Sequence, residues 1–421
     1  MSGGDGLPSL TALQRMLRAI TERLAQDCVC QSPGAPDWDG LHWQVAQVVA
    51  AMHGISPLLS GTAAAETPAA WRDFLLRQRE HTLLRHQRIV ALQTRIDRLA
   101  RESHLAAVAL KGAALHALEL YAPGERPMAD LDLLVRPADE TAAMTLIDSL
   151  GFRELYNSRR ERTFAPAETA SFHPFGEHRD NPIKIELHTH VAEDLPLRQV
   201  DISESLLPAV GAAGLRPYAS LAALMSHLLL HAAGGMRQFG VRCIQLNDIA
   251  RLAPRLDAGQ WRAVLCDARG APGWWVYPPL ALVARYYASA IPAQVLAQAA
   301  SACPAMLRRV AERRTLSDVS QSRLRMTFFM GFEWCRTPAE AAAFVRERVF
   351  PGAETRKEVA ARVPHLAWAA GSPWYRLSRP RRALRWLFTR PARVATLHSL
   401  QAIAKPVASA AEGDGNPTRT C

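Results

Sequence analysis

The stretch Val108 to Val135, VALKGAALHALELYAPGERPMADLDLLV, sets Asp130 and Asp132 two positions apart in an apolar run. Side chains alternate faces along a strand, so the two carboxylates share one side while Leu131, Leu133 and Val135 fill the other. Carboxylates held side by side repel each other, and a divalent cation between them removes that repulsion. A third acid stands in the clearest later strand, Ile183 to His190 (IKIELHTH), where Lys184, Glu186, His188 and His190 oppose Ile183, Ile185 and Leu187. Asp130, Asp132 and Glu186 are therefore the candidate catalytic and metal-holding set, with Mg²⁺ or Mn²⁺ as the expected ion. Three such carboxylates on neighbouring strands can hold two cations about 3.5–4 Å apart. One would gather a triphosphate and its leaving group, and the other would lower the pKa of an attacking hydroxyl. A DxD pair also arises on a solvated sheet edge, so the pair alone does not decide the chemistry.

Phosphate-holding residues precede the acids. Leu105 to Leu110 reads as a strand that passes through Lys111-Gly112 into a helix, Ala113 to Tyr121. A glycine at a helix start lets backbone approach an anion, and the free amides favour phosphate. Lys111 adds a cation, and Arg126 in the following Pro/Gly loop would neutralise charge developing on pyrophosphate. Three histidines and one more acid are secondary candidates. His188 shares the face of Glu186 and is placed to act as a base. His227 and His231 stand four apart on one helix, with Asp248 on the next. That spacing suits either a metal or a hydrogen-bonded packing pair.

The elements that must position these residues follow the hydrophobic pattern. Ser9 caps an expected helix Leu10 to Ala25, a second covers Trp43 to Met52, and Leu58 to Glu66 reads as loop. Thr67-Pro68 opens a long helix to about Ser103 with an apolar stripe of Leu76, Leu83, Ile89, Leu92, Ile96 and Leu99. Its arginines (72, 79, 85, 88, 95 and 98) read as a solvated face. Pro137 to Leu150 is helical, and Phe152 to Leu155, Arg162 to Ala165 and Ala170 to Phe175 are short strands. From Ser203 strand signals largely stop and helices follow: Leu221 to Ala233 ending at Gly234-Gly235, Ile244 to Ala253, and more as far as residue 350. The pattern gives four segments: helical 1–66, a core at 67–202, a helical region at 203–358, and a basic segment at 359–421 whose last residues, Gly413 to Cys421, read as a disordered tail.

These residues also carry a resemblance. LKGAALHALELYAPGERPMADLDLLV, a helix ending SLGF, then KIELHTH and HLLLHAAGGMRQFGVRCIQLNDIARL, resemble the uncharacterised nucleotidyltransferases of the DNA polymerase β superfamily. The resemblance runs best from about residue 85 to 255. It implies an α+β fold, with a small mixed β-sheet nucleotidyltransferase core, flanking helices and a mostly helical C-terminal region. It also implies metal roles for Asp130 and Asp132 and a third acid at Glu186. Where most of that superfamily has Gly-Ser after the first strand, this chain has Lys111-Gly112, as the subfamily does. The implied reaction moves a nucleoside monophosphate from an NTP to an acceptor, with a small molecule, protein or peptide favoured over nucleic acid. A catalytically inactive nucleotide- or protein-binding relative, and an RNA-modifying enzyme, are the alternatives.

Composition narrows the class. In 421 residues, hydrophobic residues are 49% and charged residues 21%, which points to a globular, soluble chain. No apolar run reaches the roughly 18 residues of a membrane span. The N-terminus lacks the layout of a secretory signal, and the seven cysteines are scattered without a CxxC pair, as in a cytoplasmic protein. The +11 net charge is concentrated late: Val359 to Ala411 holds nine Arg/Lys and no Asp or Glu. Arg376 to Arg393, interleaved with Leu384, Trp386, Leu387 and Phe388, would either lie on an anionic membrane, contact RNA, or dock on the body with its arginines outward.

Overall fold

The computed structural model describes residues 8–30, 34–168, 173, 175–209, 212–266, 270–363, 369, 374 and 377–404. The expected strand at Ala170 to Phe175 and the tail from Gly413 lie largely or wholly outside these residues. The chain is mixed α/β, 56% helical and 11% strand. Eight strands are present among the described residues: β1 Ala106–Ala109, β2 Asp130–Leu134, β3 Phe152–Asn157, β4 Arg162–Pro166, β5 Lys184–His188, β6 Ala192–Asp194, β7 Gln199–Asp201 and β8 Gly214–Arg216. Six of them form one mixed sheet in the order β3-β4-β5-β2-β1-β8, and β6 and β7 form a separate hairpin.

The two faces of this sheet do different work. Leu131, Leu133, Val135, Ile185 and Leu187 turn to one side and pack with Ile89, Leu92, Ile96 and Ile147. These partners come from the long helix Ala69–Glu102 and the helix Glu140–Ser149. The other side meets the helical region, where Val108, Leu110 and Leu134 join a large cluster containing Leu228 of the helix Leu221–Gln238. Asp130 and Asp132 alternate with Leu131 and Leu133, so they face this second side. The N-terminal helices Leu10–Asp27 and Gly40–His53 belong to the same large cluster.

Several expectations change on contact with tertiary structure. β8 lies in the stretch where strand signals largely stop, and it pairs parallel with β1 at Ala106↔Gly214. Three residues are too few to show a period, and its position is fixed by Asp97, whose carboxylate accepts the Leu215 amide at 2.8 Å. The helix from Leu221 does not stop at Gly234-Gly235 but runs to Gln238. These glycines mark close approach: a Cβ on Gly234 would stand 2.4 Å from the Glu193 carboxyl carbon. Along the long helix, Leu76 is exposed and Arg85 is buried. The buried stripe there runs through Gln78, Thr82 and Arg85, because that part of the helix meets polar loop backbone, not an apolar layer. Thr67 does not cap this helix; its hydroxyl donates to the Ala64 carbonyl.

The helix Arg379–Phe388 packs through Trp386, 6.1 Å from the Phe328 ring, and its Arg381 and Arg385 are exposed. Leu384, Leu387 and Phe388 are exposed beside them. Among the described residues no helix is long and apolar enough to cross a membrane.

Candidate functional site: an acidic cleft on the sheet

β1 ends where Leu110 donates its amide to the Asp132 carbonyl at 2.9 Å. The next residue, Lys111, has φ 45° and ψ −111°, a conformation ordinarily left to glycine. The buried Tyr218 hydroxyl holds it there by accepting the Lys111 amide at 3.0 Å. That hydroxyl lies 2.7 Å from His227 Nδ1. Burial holds His227 well below the usual imidazole range, so a neutral ring shares this hydrogen bond. Turned by this backbone, Lys111 directs Nζ to Asp132 Oδ1 at 2.8 Å.

The acids converge through strand register. β2 and β5 run parallel with Asp132 opposite Glu186 and Leu134 opposite His188. Parallel partners project to the same side, so Asp130, Asp132, Glu186 and His188 form one polar surface. Asp132, Glu186 and His188 each offer a ligand atom within 4.8 Å of the others. Asp130 lies at the end of the same strand and lines the same cleft. His188 Nε2 is 3.1 Å from Asp132 Oδ1, and its Nδ1 faces the Arg160 carbonyl at 3.1 Å.

The charges are unevenly compensated. Burial opposes ionisation of Asp132, but the Lys111 ammonium and the His188 hydrogen bond outweigh it and hold its carboxyl well below the usual range. Burial and then the neighbouring acids push Glu186 up to about 9. Burial and Asp132 likewise raise Asp130. Burial would lower the Lys111 pKa, but the surrounding carboxylates dominate and raise it. Full ionisation of the three carboxylates would outweigh Lys111, which is why, on top of burial, Glu186 and Asp130 hold their protons more tightly, and hard oxygen donors of this kind suit Mg²⁺ or Mn²⁺.

The cleft has a volume of about 250 Å³. It is walled by Lys111, Gly112, Arg126, Glu177, His231, Arg242 and Asp248 as well as the acids. Sequence-nominated residues therefore gather here, but with altered parts to play. Arg126 is bound to Asp248 by two hydrogen bonds, Nε to Oδ1 and Nη2 to Oδ2, both 2.8 Å. The Tyr121 hydroxyl also donates to Asp248 at 2.8 Å. Arg126 and Asp248 thus clamp the loop ahead of the DxD strand onto the helix Cys243–Leu252. Gly112 serves that clamp, since a Cβ there would lie 2.3 Å from Arg126 Nη1 and 2.6 Å from Met128 Sδ. With Asp248 engaged by Arg126 and His227 by Tyr218, the trio His227, His231 and Asp248 forms no ligand set. Burial lowers His231 as well, leaving a neutral ring on the cleft wall.

Three contributors were missed in the sequence. Tyr218 sits in no motif. Arg85 was grouped with solvated arginines, yet it donates to the Met128 and Ala129 carbonyls, both at 3.2 Å, and pairs with Glu177 at 3.0 Å. Arg242 is exposed, lines the cleft and has no ion pair among the described residues. Its place just ahead of the helix Cys243–Leu252 was the available signal.

The site is thus a mixed sheet that presents paired strand acids beside a lysine, with helices packed over that face. The sequence model of a family described as uncharacterised nucleotidyltransferase matches residues 39–272, more than half of the chain. The chain belongs to that family and is a nucleotidyltransferase. No curated protein and no solved structure matches it.

Proposed function

We propose that this chain transfers a nucleoside monophosphate from an NTP to an acceptor hydroxyl or similar group, using Mg²⁺ or Mn²⁺ held by Asp130, Asp132 and Glu186. The observation that carries the reading is the register of Asp132 opposite Glu186, with Asp130 on the same strand face and Lys111 bonded to Asp132. Bound there, the cation would offset phosphate charge and lower the pKa of an attacking hydroxyl. Lys111 supplies a fixed positive charge at the acid set, and Arg242 supplies another on the cleft lining, where the triphosphate would lie. Arg126, with Gly112 beneath it, contributes by fixing the loop before Asp130. His188 orients Asp132 and is the nearest imidazole to the acids.

The acceptor in this reading is a small molecule or a side chain of a peptide or protein. The helix Arg379–Phe388 adds the proposal of contact with an anionic bilayer, because Leu384, Leu387 and Phe388 are exposed among arginines. Co-sedimentation with anionic vesicles tests that contact.

Calorimetry tests the site. Wild-type protein should bind an NTP at least about tenfold more tightly with Mg²⁺ than with EDTA, since the cation bridges carboxylates and phosphates. Asp132→Asn should remove that dependence. Equal Mg²⁺ dependence in the wild type and the variant would overturn the assignment.

A further inference from the structure

Outside the catalytic cleft, His173, His178 and Asp180 each place a potential ligand atom within 4.8 Å of the others. The His173 and His178 rings stack with centroids 3.5 Å apart, and His81 of the long helix stands 4.5 Å from His178. His178 Nδ1 lies 3.6 Å from Asp180 Oδ2. His173 and Asp180 are exposed and His178 is half-buried, so the cluster contributes no core packing that would account for it.

The backbone that carries the cluster is held firmly. Buried Asn181 accepts the His173 amide through Oδ1 at 2.7 Å and donates Nδ2 to the His173 carbonyl at 3.0 Å. Gln78 brackets Glu177 in the same way, accepting its amide at 2.7 Å and donating to its carbonyl at 3.0 Å. Arg85 donates to the Asn181 carbonyl at 2.6 Å. The Arg179 amide meets His81 Nδ1 at 3.2 Å, which ties the fourth candidate donor to the same loop.

We propose that His173, His178 and Asp180, with His81 beside them, bind a borderline divalent transition ion such as Zn²⁺. Two imidazoles with one carboxylate select zinc-like ions over Mg²⁺, whereas the catalytic cleft is dominated by carboxylate oxygens. The ion is structural. It pins His173 and residues 175–181, whose Glu177 stands on the cleft wall and reaches through Arg85 to the backbone just ahead of Asp130. Metal at the surface cluster thereby fixes the loop that borders the acids.

The test is titration of full-length protein with Zn²⁺, compared across three proteins: wild type, His173→Ala/His178→Ala, and Asp132→Asn/Glu186→Gln. The expected result is one Zn²⁺ site in the wild type that survives in the acid variant and in excess Mg²⁺. The histidine variant should bind at least about tenfold more weakly, as loss of a site's ligand shell implies. Co²⁺ provides a second readout, its visible ligand-field bands appearing in the wild type and the acid variant alone. Thermal unfolding without metal should match between wild type and histidine variant, with Zn²⁺ raising the midpoint only in the former. Unchanged Zn²⁺ binding in the histidine variant would overturn the proposal. Loss of all Zn²⁺ in the acid variant would overturn it too, assigning the ion to the catalytic carboxylates.

Discussion

Replacing Tyr218 by Phe removes one oxygen and should disable the site without touching an acid. That oxygen accepts the Lys111 amide at 3.0 Å and shares a hydrogen bond with His227 Nδ1 2.7 Å away. Tyr218 and His227 are both buried, so water does not freely replace the lost bonds. An abandoned buried polar group costs about 1–3 kcal/mol. Lys111 also loses the contact that holds it at φ 45°, a conformation that itself costs about 1–3 kcal/mol. Relaxation of this residue recovers part of the first loss by letting the backbone turn away, which swings Nζ from Asp132. The net expectation is a destabilisation of roughly 2 kcal/mol and a fall in transfer rate of about tenfold to a hundredfold, since a displaced charge at a reacting centre costs about that much. Urea unfolding and steady-state transfer kinetics on the same preparation measure both. His227→Ala should lower stability but spare more activity, because Tyr218 still holds Lys111 directly. Wild-type kinetics in Tyr218→Phe would refute the claim that this hydroxyl aims Lys111.

Glu186 predicts a pH effect. Its folded pKa, about 9, lies above the ordinary glutamate value of 4.5, so the native state binds the extra proton between those values and stability falls as pH rises through them. Between pH 7 and 9 the loss attributable to this group in metal-free protein is roughly 2 kcal/mol, and Glu186→Gln should lack it; unfolding of both proteins across that range reads the difference. Asp248→Asn should cost about 3–5 kcal/mol of stability, because it breaks the buried two-bond pair with Arg126 and leaves the guanidinium uncompensated; denaturant unfolding checks it. Arg242→Ala should leave stability within about 0.5 kcal/mol but weaken NTP binding several-fold, measured by calorimetry, because its exposed guanidinium has no ion-pair partner among the described residues to lose.

The legible parts of this protein are those written in short-range periodicity. Alternation placed Asp130 and Asp132 opposite Leu131 and Leu133, and the same rule set Glu186 and His188 against Ile185 and Leu187. What alternation does not contain is register: that Asp132 lies opposite Glu186 is set by how β2 and β5 pair in space. β8 has three residues and answers to Asp97 on a distant helix, so no local pattern announces it. Arg85 matched its solvated neighbours in type and spacing, and only the carbonyls it meets across the fold distinguish it. Gly234 read as a helix stop because glycine is a poor helix former, but the approach of Glu193 requires it there. Arg126 was assigned to phosphate by position in a loop, and the partner that claims it, Asp248, lies 122 residues away.

The central claim concerns transfer itself. Purified wild-type protein and the Asp130→Asn/Asp132→Asn variant, each with Mn²⁺ and every α-labelled NTP, would be incubated with and without a cell lysate. Label moving onto a small molecule, protein or peptide with the wild type alone is the predicted result and identifies the acceptor class. Label transfer by the variant at the wild-type rate, or none by the wild type with any NTP, would contradict a reaction carried by these aspartates.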